Sequence, residues 1–267
     1  MPRRSHEPIS PIPPRGERAP RLLPGLAADW PAVTRWTPDR LAEIAGAREV
    51  EVVVGERESH AGEYRTVPLA EVFRGQAPER APDPPLYLKE FDLLAELPAL
   101  AADVDLTRLA RPGHRGWHYS WISHAGARTG YHYDLLDNVL TQIRGEKRVT
   151  VVAPAHTPHM YVSDKFDEYA VLSEVDGFAP DLTRHPRFAK ARAAEQVFEL
   201  GPGDGIFIPQ GWWHRVESLS ASISLSGFMG NRWDALKLGP YGILQWLHRR
   251  GLYKAGRCAC HRPRGAS

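Results

Sequence analysis

From Trp117 onward the chain is cut into short segments rich in β-branched and aromatic residues, each closed by a Gly- or Pro-containing turn. Segments of this length and composition are strands. They fall at 117–123, 131–134, 138–144 and 147–153, then at 197–200, 205–208, 213–217 and 221–228, with one helix expected over 186–196. Strands this short, joined by turns this tight, close into a sandwich or a double-sheet jelly roll. The fold class expected is therefore mainly β.

Helices flank the strand-rich region. Residues 37–46 read as a helix with Thr37 as cap, Pro38 in the first helical position and Gly46 at its end. Residues 49–54 (EVEVVV) read as a strand and 75–85 as a loop. Residues 91–103 are apolar at helical spacing, interrupted by Pro98. Residues 233–250 read as a helix offering Leu236, Leu238, Ile243, Leu244 and Leu247 for packing. Residues 1–19, with Pro2, Pro8, Pro11, Pro13 and Pro14 among charges, read as a mobile tail. The organisation expected is a tail over 1–19, a folded domain over 20–230, and a helical segment and tail over 231–267.

Composition narrows the partners. The 267 residues are enough for a sizeable core, and 42% hydrophobic with 25% charged residues fits a folded soluble chain. Lys and Arg number 34 against 32 Asp and Glu, and no basic run exceeds Arg3-Arg4 or Arg249-Arg250. No nucleic-acid partner is expected on that balance. Two cysteines, Cys258 and Cys260, cannot make a disulfide framework, which fits a reducing, cytoplasmic setting. No apolar stretch spans a membrane, and the N-terminal region has no apolar signal segment.

Three features carry chemistry. His132-Tyr133-Asp134 is the one place where Asp follows a His by two residues. On a strand, positions i and i+2 face the same side, so one metal ion could take both. The tripeptide alone reads rather as an exposed polar strand face. The second feature is Gly201 to His214, in which Gly203-Asp204 turns, Ile206-Phe207-Ile208 is an apolar strand, Pro209 to Gly211 turns again and His214 opens the next strand. His214 suits a ligand or a core histidine bonded to a carbonyl. Two imidazoles and one carboxylate match the facial triad of non-haem Fe(II) oxygenases, and zinc takes the same set. The third feature is Lys147, which shares a strand face with Val149 and Val151. If that face is inward, its ammonium needs an anion; at a strand end it could also reach water.

Taken in order, these blocks resemble the cupin-like JmjC oxygenases. Thr129-Gly-Tyr-His132-Tyr-Asp134, Asn138 four residues later and Gln142-Ile-Arg-Gly145-Glu-Lys147 follow that family's pattern. The block ending Gly211-Trp-Trp-His214-Arg-Val-Glu-Ser is similar to its distal histidine block, Pro85-Leu-Tyr87-Leu to an upstream strand, and Gly25-Leu…Trp30-Pro31 to an N-terminal block. The resemblance covers about residues 20–230 and implies a double-stranded β-helix (jelly roll, cupin) with flanking helices. It also implies that His132, Asp134 and His214 bind Fe(II). Lys147, Thr129 and Tyr87 would hold the distal carboxylate of 2-oxoglutarate, and Asn138 would line its pocket. Two positions depart from the pattern: Ser226 stands where many relatives carry Asn, and Gly130 replaces the usual Pro. The reaction implied is hydroxylation with O2, yielding succinate and CO2. Its substrate would be a protein or peptide side chain, or else a free amino acid or small metabolite. A non-catalytic cupin-like binding protein is a further alternative, and the C-terminal helix could form a homodimer.

Three signals stay outside this pattern. His156 and His159 read as a solvated loop, Trp212 and Trp213 as packing beside His214, and Cys258-Ala-Cys260-His261 as tail, since no second Cys pair completes a zinc site.

Overall fold

A computed structural model of the chain describes residues 12–14, 16–55 and 63–258. Its strands are β1 (Arg21–Leu23), β2 (Glu49–Val54), β3 (Glu63–Pro68), β4 (Leu86–Phe91), β5 (Arg115–Ser123), β6 (Arg128–Asp134), β7 (Asp137–Arg144), β8 (Lys147–Val152), β9 (Ala170–Leu172), β10 (Gln196–Leu200), β11 (Gly205–Ile208), β12 (Trp213–Ser218) and β13 (Ser222–Gly230). The helices are α1 (Pro31–Arg35), α2 (Pro38–Ala45), α3 (Leu69–Arg74), α4 (Leu93–Glu96), α5 (Phe188–Arg192) and α6 (Arg232–Arg249).

The strands form two sheets. The larger runs β1-β11-β7-β13-β5-β4-β2-β3 and the smaller β10-β8-β12-β6-β9. From β5 to β8 the chain alternates between the sheets, and it does so again from β10 to β13. Four strands of each sheet thus make the double-stranded β-helix expected of the sequence, with antiparallel pairing throughout. The outer face of the larger sheet, with Ile122, Val139, Ile143 and Leu225, packs under Trp36, Leu41 and Phe73 from the helical layer. Between the sheets lie Leu140, Val149, Val151, Ile206 and Ile208. Burying each such side chain contributes about 1.5–3 kcal/mol.

The departures from expectation have local causes. The helix expected over 186–196 is only the five-residue α5, because Gln196 pairs with Val151 as the start of β10. Pro98, which lacks an N–H, splits 91–103 into α4 and a 3-10 turn at Pro98–Asp103. Residues 12–14 and 16–19 are not a loose tail. Ile12 is buried, the Pro13 carbonyl accepts a hydrogen bond from Arg111 Nε at 2.7 Å, and the Arg18 carbonyl accepts one from Trp212 Nε1 at 2.7 Å. The rest of the expected tail, residues 1–11 and 15, lies outside the described residues, as do Cys260 and His261. Among the described residues, no helix is long and apolar enough to cross a membrane.

Candidate active site

His132 and Asp134 end β6, and β12 runs antiparallel beside it with His214 directly opposite His132. The turn before β12 is stitched to the end of β6. The Gly211 N–H donates to the Asp134 carbonyl at 3.1 Å, and the Gln210 N–H to Asp137 Oδ1 at 2.8 Å. That turn needs Gly211, whose φ is 81°. The two imidazole rings come to rest 4.1 Å apart between centroids.

Each imidazole is oriented through its far nitrogen. His132 Nδ1 lies 2.9 Å from the Gly130 carbonyl and His214 Nδ1 lies 3.0 Å from the Trp212 carbonyl. A carbonyl only accepts, so in the neutral rings Nδ1 carries the hydrogen and Nε2 keeps its lone pair. Both Nε2 atoms face the Asp134 carboxylate, at 3.8 Å for His132 and 3.7 Å for His214. Asn138 Nδ2 donates to Asp134 Oδ2 at 3.2 Å and fixes the carboxylate in turn. This is the outer support that orients metal ligands. Burial, followed by the neighbouring His132, pushes the His214 imidazole down to about 4, so it is a neutral lone-pair donor at neutral pH. The three donor atoms lie within 4.8 Å of one another, the one such group among the described residues. Two neutral nitrogens and one carboxylate oxygen suit Fe(II), and also zinc.

Lys147 enters the same space from β8. The β7–β8 turn depends on Gly145 (φ 70°), where a Cβ would stand 1.9 Å from the Ala221 carbonyl oxygen. The Lys147 side chain shares the inward face with Val149 and Val151 and is only 2% exposed. Burial alone pushes its amine down to about 7. In the same cleft the hydroxyls of Tyr87 and Thr129 are 2.9 Å apart. A buried amine with two hydroxyls at hand is a fitting seat for a carboxylate.

His132, Asp134, His214, Asn138, Lys147, Tyr87 and Thr129, with Ser226 on β13, all line one cleft of about 1090 Å³ between the sheets. His156 and His159 do not reach it; they sit on a 3-10 turn with rings 5.7 Å apart. Sequence reasoning missed the aromatic face of the cleft: Trp117, Tyr119 and Trp121 of β5, and Phe228 of β13. The signal was present in the alternation Trp-x-Tyr-x-Trp, which places all three rings on one strand face. It also missed the wall supplied by Asp167, Tyr169 and Tyr241, which come together only through packing of α6 on the segment before β9.

Comparison with known proteins places this geometry in context. The family described as cupin-like domain matches residues 15–233. A tRNA wybutosine-synthesizing protein 5 from Danio rerio is 33% identical over 238 residues, spanning 79% of this chain and 70% of that protein. Its Gallus gallus counterpart is 32% identical over 232 residues with the same coverage. A lysine-specific demethylase 8 from Xenopus tropicalis is 29% identical over 211 residues, spanning 78% of this chain and 47% of that protein.

Proposed function

The chain belongs to the cupin-like domain family, in its JmjC branch, and on that premise we propose that it is an Fe(II)- and 2-oxoglutarate-dependent oxygenase that hydroxylates a protein or peptide side chain. The observation that carries the reading is the pairing of a lone-pair-directed His132/Asp134/His214 set with the buried Lys147 in one cleft. His132, Asp134 and His214 would hold Fe(II), and Lys147, Tyr87 and Thr129 the distal carboxylate of 2-oxoglutarate. Bound together, these groups would supply activation of O2, with 2-oxoglutarate decarboxylated to succinate and CO2 and a substrate C–H converted to C–OH.

The chain's own residues position and exclude. Asn138 keeps Asp134 turned toward the two imidazoles, and the Gly130 and Trp212 carbonyls keep both Nε2 lone pairs in place. Val149, Val151 and Ile208 exclude water below the site, which strengthens a Lys147–carboxylate contact. Preorganisation of this kind is the protein's share of such a reaction.

The cleft is larger than most small-molecule pockets, which run to about 1,000 Å³. At its mouth Trp117 and Tyr169 are 40% and 53% exposed. This favours an inserted side chain of a larger substrate over a free amino acid or small metabolite. The relatives' names, one for tRNA modification and one for lysine demethylation, are compatible with large substrates.

Anaerobic titration of the iron-loaded protein with 2-oxoglutarate tests the reading. An iron–ketoacid charge-transfer band should appear, and His132→Ala or Asp134→Ala should remove it. O2-dependent succinate formation should then be stimulated by peptide pools more than by free amino acids. Absence of the band in the wild type would leave a cupin-like binding protein as the better account.

A further inference from the structure

The turn that delivers His214 is held from outside the two sheets. Residues 209–212 join β11 to β12, and three hydrogen bonds stitch them to the β6–β7 connection. Gly211 N–H reaches the Asp134 carbonyl, Gln210 N–H reaches Asp137 Oδ1, and the Gln210 side-chain amide reaches the Leu135 carbonyl at 2.7 Å. The other oxygen of that carboxylate, Asp137 Oδ2, accepts from Arg111 Nη1 at 2.6 Å. Arg111 is buried with its guanidinium 5.0 Å over the Phe207 ring of β11, and its Nε donates to the Pro13 carbonyl. A buried guanidinium is tolerable only when such partners are in place. Arg111 therefore ties the N-terminal segment and the β6–β7 connection to one point.

Further along, the N-terminal segment meets the turn directly. Trp212 Nε1 donates to the Arg18 carbonyl, and the Trp212 carbonyl faces His214 Nδ1. Trp212 is thus held at both ends, with its side chain buried in one cluster with Ile206 and Ile208. The chain then enters β1, which pairs with β11 just before the turn, Arg21 opposite Phe207. Ile12 and Pro13, the first anchors, precede the residues that match the cupin-like family. The described residues between Ile12 and Leu23 form a strap along β11 and its turn.

Resting on the reading of His132, Asp134 and His214 as metal ligands, we propose that Arg111 and Trp212 are positioning residues through which this strap sets the aim of His214. The β6–β12 register shifts between His214 and Val216, so regular pairing is interrupted on one side of the ligand. Its orientation must then come from the turn on the other side. Fixing the indole of Trp212 limits rotation of its peptide plane. That plane carries the carbonyl which directs Nδ1, and so the Nε2 lone pair opposite. Outer hydrogen bonds of this kind govern how firmly a metal is kept.

The test uses the full chain loaded with Co(II), whose visible d–d bands report the geometry of its ligands. His214→Ala should remove the bands, which identifies the site. Trp212→Phe keeps a ring but deletes the indole N–H, and Arg111→Met deletes the charge. Each should shift the bands and speed Co(II) loss to excess EDTA by roughly two- to tenfold. Trp36→Phe is the control for stability alone. It deletes an equally buried indole N–H, bonded to Asp103 Oδ2 at 3.1 Å in the helical layer, and should lower the apo melting temperature yet release Co(II) at the wild-type rate. Wild-type bands and release in Trp212→Phe overturn the proposal even if Arg111→Met does not fold, and so does release in Trp36→Phe as fast as in Trp212→Phe. A wild type that takes up no Co(II) at this site overturns both the strap and the metal reading. Faster release in Trp212→Phe from a protein that forms no iron–ketoacid band would uphold the strap and sink the oxygenase reading alone.

Discussion

At Lys147 burial strips an ammonium of water, with no carboxylate among the described residues offsetting it, and the amine falls to about 7. Two opposite pH effects follow from that one side chain. The unfolded chain holds this proton up to the ordinary value of 10.5, so between about pH 7 and 10.5 the unfolded state binds more protons than the folded apo state. Apo stability therefore rises with pH across that window and is flat with respect to this group below it. Lys147→Met should raise the apo melting temperature near pH 7, and the gain should shrink as pH approaches 10; thermal scans across pH read both. A dicarboxylate, by contrast, needs the protonated amine. The affinity for 2-oxoglutarate should be level below about pH 7 and fall above it, and binding at pH 8 should take up close to one proton. Calorimetry in buffers of different ionisation heat measures that uptake, which Lys147→Ala should abolish. The same variant should weaken 2-oxoglutarate by roughly 10- to 150-fold, from about 1.5–3 kcal/mol for a charge-assisted hydrogen bond, and leave iron binding intact. Equal affinity in Lys147→Ala would move the carboxylate to another basic group.

At the scale of elements, the β7–β8 hairpin is what delivers Lys147 into the cleft, and Gly145 is its pivot. A methyl there would meet the Ala221 carbonyl at 1.9 Å in a conformation side chains rarely adopt. Gly145→Ala should cost on the order of 2–4 kcal/mol in urea unfolding, and should loosen 2-oxoglutarate more than iron. Retention of the wild-type urea midpoint would mean the turn can shift as a unit. The elements most legible in the sequence were those whose residues settle their own conformation. In α2, Thr37 accepts from the Arg40 N–H at 3.4 Å and Gly46 ends the helix at φ 61°. The β8 alternation put Lys147, Val149 and Val151 inward, where they lie. Less legible were β1, β3 and β9, of which β1 and β9 have three residues each and exist because β11 and β6 offer edges to pair with. The aromatic stripe was written as Trp-x-Tyr-x-Trp, but which face it served depended on β4 and β13 beside it.

On the whole molecule, the unsettled surface belongs to α6. One side of this helix is anchored: Tyr241 donates to the Asp167 carbonyl, Gln245 to the Glu168 carbonyl, and Arg249 pairs with Glu168. The other side leaves Leu236, Ile243 and Trp246 at 69%, 62% and 52% exposed. Their spacings of seven and three residues put them on one helical face, so the exposure is a stripe rather than scattered side chains. An apolar stripe of this kind is seldom left in water, and a two-fold interface lets the same stripe cover itself. We propose a homodimer through α6. Because Leu238, Tyr241 and Gln245 of this helix also wall the cleft, dimerisation would stiffen the substrate side of the site without touching the metal ligands. Light scattering at micromolar concentration should give twice the 29.9 kDa chain mass. Ile243→Glu places a carboxylate in the stripe and should yield the monomer. That variant should keep the iron–2-oxoglutarate band, since its site lies on β6, β8 and β12, while losing turnover of peptide substrates through a weaker KM. A wild-type monomer at that concentration, or a dimer that survives Ile243→Glu, would put the interface elsewhere and leave the stripe to a different partner.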